Sequence, residues 1–156
     1  MRCKLILIMV LLCCCAVAWA QENGEAQTRT PSAEGASIGF ANLEDGQTVP
    51  PEFQVRFQLS GMGVAPAGSN IENTGHHHLL IDVTELPDFN QPLPANEHIR
   101  HFGKGQSETE LSLPEGPHSL QLLLADYRHI PHDPPVMSEV ITIVVSADAP
   151  AESDDN

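Results

Sequence analysis

Cysteine is scarce and badly placed for structure: the four in this 156-residue chain, Cys3, Cys13, Cys14 and Cys15, all fall within the first fifteen residues. That stretch has the anatomy of an export signal. Arg2 and Lys4 supply a positive n-region, Leu5 to Val17 an apolar run, and Ala18-Trp19-Ala20 a small-residue cleavage site. Cleavage near Ala20 would leave a chain beginning at Gln21 with no cysteine, bound for the periplasm or secreted. Disulfides, thiolate zinc sites and a blue-copper centre are then excluded, although an exported setting would permit disulfides. An acylated lipoprotein is the competing reading of the cysteines, and Leu11 and Leu12 ahead of them speak against it.

Other shortages narrow the field further. Beyond residue 20 no apolar run reaches the roughly 18 residues of a membrane span. Aromatic residues make up 4% of the chain, and its one tryptophan, Trp19, lies in the signal, so no aromatic sugar platform is expected. Lys and Arg number 7 against 21 Asp and Glu, a net charge of −14, or −16 once Arg2 and Lys4 are removed. Such a surface excludes nucleic acid as a partner. Ser112, Ser119 and Ser138 lack a nucleophile-elbow context and no Gly-rich phosphate loop precedes a helix, so no catalytic residue is assigned. Gly103-Lys104-Gly105 reads as a turn.

What is present reads as strands and turns. Residues 21–36 and 147–156 are polar and read as disordered tails around one domain spanning 37–146. Within it, Phe53 to Leu59 alternates strictly, placing Phe53, Val55, Phe57 and Leu59 on one face. His76 to Val83 sets His77, Leu79, Ile81 and Val83 opposite His76, His78, Leu80 and Asp82. Further strands are expected around Ser37 to Leu43, over Glu108 to Leu113, over Pro117 to Tyr127 and over Ser138 to Val145. The proline-bearing stretch Leu86 to Ala95 cannot join a central ladder, because proline offers no backbone donor. Roughly seven short strands without an amphipathic helix predict an all-β, immunoglobulin-like antiparallel sandwich, with a small barrel as the alternative.

The eight histidines all lie between residues 76 and 132. Imidazole is the commonest protein ligand for zinc and copper, so this density needs a reason. On a strand His76 and His78 point the same way and His77 the other. His98 and His101, and likewise His129 and His132, share a three-residue spacing that a turn could fold toward one point. Pro131, Pro134 and Pro135 stiffen the second pair's loop. The candidate pool for a copper or zinc ion is His76, His78, His98, His101, His118, His129 and His132, of which three or four should converge. Proton competition for such a site is expected below about pH 6.5. Glu97-His98-Ile99-Arg100-His101 resembles the zinc-protease motif only superficially, because its glutamate precedes the first histidine. The competing reading is an envelope adaptor or ligand-binding sandwich whose histidines form a structural hydrogen-bond network.

The stretches GHHHLLID (75–82), PANEHIRHFGKGQSETEL (94–111), LPEGPHSLQLLLADYRHIPH (113–132) and PPVMSEVITIVV (134–145) resemble an uncharacterised bacterial secreted family, the domain of unknown function numbered 4399. The resemblance covers about residues 38–146. It implies an exported bacterial domain and brings no ligand list or activity with it, so the metal expectation rests on residue chemistry and spacing.

Overall fold

The computed structural model of the chain describes residues 28–150. The expected signal segment, and residues 21–27 and 151–156 of the expected tails, lie outside these. Nine strands follow one another: β1 (Ser37–Phe40), β2 (Thr48–Val49), β3 (Glu52–Ser60), β4 (Gly63–Val64), β5 (Thr74–Ile81), β6 (Ile99–His101), β7 (Glu108–Ser112), β8 (Gly116–Ala125) and β9 (Ile141–Val145). No helix occurs among the described residues.

The strands form two sheets. One has the order β1-β3-β7, the other β2-β9-β8-β5-β4 with β6 also paired to β5. All the longer pairings are antiparallel, while the two-residue strands β2 and β4 pair in parallel with β9 and β5. Neither sheet closes, so the chain is a β-sandwich and not a barrel, with more strands than the seven expected because several are very short.

Alternation explains the packing. Phe53, Val55 and Phe57 of β3 and Leu111 of β7 meet Leu79 and Ile81 of β5, Leu120, Leu122 and Leu124 of β8, and Ile143 and Val145 of β9 in one core between the sheets. At roughly 1.5–3 kcal/mol for each fully buried side chain, this layer supplies the main driving force in the absence of cross-links.

The central strands β5 and β8 are buried on both faces. Behind them a second cluster joins Leu80, Ile99, Leu123 and Ala125 to Leu93, with Phe89 and Met137 packed at its margin. The proline-bearing stretch, outside any strand, thus roofs the outer face of the larger sheet. Its Leu93 amide donates to the His129 carbonyl at 2.8 Å, tying the roof to the loop after β8.

Residues 28–36 depart from the expected tail. The Arg29 guanidinium donates to the carbonyls of Pro131 and His132 and pairs with Asp133. The Thr30 hydroxyl donates to Asp126 at 2.6 Å, and the Ser32 and Asp133 amides donate to the Asp133 and Thr30 carbonyls. Polar composition suggested disorder here, but backbone and charged hydrogen bonds hold the segment, with Ala36 packed against the core.

Candidate metal centre

The site grows from the register of three strands and one turn. On β5, His76 and His78 project from the same face toward the roofed side, and β5–β6 pairing sets His101 directly across from His78. After β8, the turn from Asp126 to His129, closed by the His129 amide donating to the Asp126 carbonyl at 2.9 Å, brings His129 over the same spot. His129 has φ of 69°, a left-handed conformation uncommon outside Gly, though His, Asn and Asp adopt it more often than other residues.

The four rings touch one another. Ring-centre distances are 4.8 Å for His76–His78, 4.9 Å for His76–His101, 5.0 Å for His76–His129 and 5.1 Å for His78–His101. His101 and His129 lie 4.6 Å apart and His78 and His129 6.2 Å. One nitrogen each from His76, His78 and His101 lies within 4.8 Å of the other two. Three nitrogens round a single zinc ion at about 2.0–2.1 Å would stand about 3.4 Å apart. The rings must turn to bring their nitrogens that close.

Burial grades across the site. His76 and His78 are 0% and 1% exposed and form its floor, while His129 is half-buried and His101 is exposed at the rim. Both nitrogens of His76, the Nδ1 of His78 and the Nδ1 of His129 are buried with no hydrogen-bond partner among the described residues. A buried polar group left unpaired costs roughly 1–3 kcal/mol, so the cluster is expensive as it stands.

Its electrostatics favour neutral imidazole. Burial first, then the neighbouring His129 and His101, lowers the His76 pKa to about 4. Burial, followed by His76, His101 and His129, lowers that of His78 to about 2. His101 is lowered as well, by burial and then His129. Metal ligation needs the unprotonated ring, and these rings are held in that form at neutral pH. Proton competition at His76 and His78 therefore begins below the pH near 6.5 expected from free imidazole.

Two glycines make room. A Cβ on Gly103 would stand 2.3 Å from Cε1 and 2.5 Å from Nε2 of His101, so the rim ring occupies space that any other residue would fill. A Cβ on Gly75 would meet the Ala125 carbonyl oxygen at 2.6 Å and His132 Nε2 at 3.0 Å.

Asp126 braces the loop that carries His129. It is 1% exposed and accepts from the Thr30 hydroxyl, the Arg128 guanidinium at 2.8 and 3.1 Å, and the amides of Arg128 and Ile130. Burial opposes its charge, but the hydrogen bonds from Thr30 and Arg128 outweigh it and hold the carboxyl below its usual range.

The remaining histidines of the pool stand elsewhere. His98 is exposed, and its Nδ1–H donates to the Ile81 carbonyl at 3.0 Å. Because residues 99–101 are extended, a spacing of three sends His98 and His101 to opposite sides, where a turn would have brought them together. His118 lies between Asp82 (2.7 Å) and the Pro114 carbonyl (2.9 Å). Two acceptors require both ring nitrogens to carry protons, and although burial opposes the charge, the Asp82 hydrogen bond raises its pKa. His132 is fully buried beside Gly75 with both nitrogens unpartnered, outside the four-ring group. His77 faces the inter-sheet core against Phe57 and donates to the Gln106 carbonyl. The braces from Arg29 and Thr30 had no local signal in the sequence, since each acts on a partner distant along the chain.

No curated protein and no solved structure matches the chain. A family model does, over residues 55–146, a span that holds every histidine of the cluster. On that match the chain belongs to the family described as Domain of unknown function (DUF4399).

Proposed function

We propose that this is an exported metal-binding protein that holds a copper or zinc ion on His76, His78 and His101. The observation that carries the reading is the mutual approach of three imidazoles, two of them fully buried, with floor nitrogens that have no hydrogen-bond partner. A hydrogen-bond network, the alternative, would pair those nitrogens with carbonyls or carboxylates, as His98 and His118 are paired. An ion would take up one nitrogen of each ring. The acidic surface suits a protein meeting cations outside the cytoplasm, at moderate strength and with salt dependence.

The test is elemental analysis after dialysis of the purified protein against copper or zinc, beside a His76→Phe/His78→Phe variant. One ion per chain in the parent and none in the variant is expected. Equal metal content in the two would remove the reading. Export is checked separately, by sequencing the amino terminus of protein recovered outside the cytoplasm, which should begin at Gln21.

A further inference from the structure

Four imidazoles, not three, meet over this end of the sheet, and the spacing of their centres carries information about the ion. Five of the six distances lie between 4.6 and 5.1 Å, and the sixth, His78–His129, is 6.2 Å. In a square of ligands two distances are long, and they are the two diagonals, which share no ring. The distance that shares no ring with His78–His129 is His76–His101, at 4.9 Å, as short as the rest. The four centres therefore form a tetrahedron stretched along one edge.

The scale agrees with a single small ion. With metal–nitrogen bonds of about 2.0–2.1 Å and about 1.1 Å more to each ring centre, a tetrahedral four-imidazole site puts the centres about 5.2 Å apart. His129 adjoins the group of His76, His78 and His101: no nitrogen of it belongs to the set within 4.8 Å, so its ring turns on binding, but its backbone is fixed beside the other three rings. Its amide is bonded to the Asp126 carbonyl, its carbonyl receives the Leu93 amide, its backbone is left-handed and its buried Nδ1 has no partner among the described residues. Rare backbone conformations held by surrounding structure concentrate at functional sites.

We infer that His129 is a fourth ligand and that the site is a closed tetrahedral four-imidazole centre for zinc(II). This rests on the metal-binding reading and narrows it. Copper(II) and nickel(II) favour square-planar or tetragonal surroundings, and copper(I) favours sulfur donors, whereas zinc(II) accepts a tetrahedron of nitrogens without preference. Four protein ligands leave no position for a water, so the centre holds its ion and does not activate a nucleophile.

X-ray absorption at the zinc edge of the zinc-loaded full chain tests this, with cobalt(II) as a visible substitute. Four imidazole nitrogens and the intense absorption of tetrahedral cobalt are expected. Three imidazoles and an oxygen would overturn the fourth ligand while leaving metal binding intact, and a chain that takes up no zinc would remove the underlying reading instead. His129→Asn, which keeps a residue tolerant of left-handed backbone, should weaken zinc binding at least about 100-fold, the upper range for losing a mere supporting contact. Circular dichroism confirms that the variant is folded, and unchanged affinity in a folded variant would overturn the assignment.

Discussion

Gly103→Ala separates a metal site from a structural cluster with one methyl group. The added carbon would fall 2.3 Å from Cε1 and 2.5 Å from Nε2 of His101, against an ordinary contact of about 3.5–4.0 Å. The ring must retreat by about 1 Å or more, whereas metal–ligand distances tolerate deviations of about 0.2 Å. His101 is exposed and can swing outward, so the fold should survive. The contact with the Ala67 methyl, at 3.2 Å, needs a shift of only a few tenths of an ångström, and losing a glycine restricts the unfolded chain by about 0.4–1 kcal/mol in favour of folding. Zinc affinity measured against a competing chelator should drop at least about tenfold, or about 1.4 kcal/mol, with urea denaturation in EDTA little changed. Gly39→Ala, where the added carbon meets nothing within 4 Å, is the control. Wild-type affinity in Gly103→Ala would mean that His101 does not hold the ion.

The other expectations concern the buried groups around the site. His76 and His78 have pKa values near 4 and 2 when folded and about 6.5 when unfolded, so below pH 6.5 the unfolded chain binds more protons and metal-free stability falls. Each contributes about 2 kcal/mol between pH 7.5 and 5, and a flat stability profile in EDTA over that range would contradict their burial as neutral rings. His118 acts with the opposite sign: its folded pKa is raised, so its contribution is full below 6.5 and is lost as pH climbs through the folded value. Gly75→Ala drives a methyl to 2.6 Å from the Ala125 carbonyl and 2.8 Å from Leu124 Cγ in the middle of the sheet. Unlike Gly103→Ala it should cost about 1–3 kcal/mol of stability, seen as an earlier urea midpoint, and no shift would show that the strands can part there. Asp126→Asn leaves Arg128 without its charged partner and should cost about 2–4 kcal/mol. A loss under about 1 kcal/mol by thermal melting would show that the turn carrying His129 needs no such brace.

Much of this protein follows from periodicity alone. A side-chain period of two determines which of residues 53–59, 76–83 and 117–127 share a face, because it is a property of each extended strand and needs no knowledge of its neighbours. The same rule put His76 and His78 together and sent His77 to the other side. Which further histidines join them is not local. His101 arrives through the pairing that sets it opposite His78, and His129 through a turn braced by Asp126, Thr30 and the Leu93 amide, partners up to 96 residues away. The equal spacing within His98/His101 and His129/His132 promised two pairs, yet one member of each enters the cluster, since strand or turn geometry decides where the second ring points. Charge state was likewise invisible in the sequence: His78 and His118 are the same residue type, but one is sealed among other imidazoles and the other lies between a carboxylate and a carbonyl. Sequence determines which imidazoles are available; the packing of separate segments decides which of them share a point and which carry a proton.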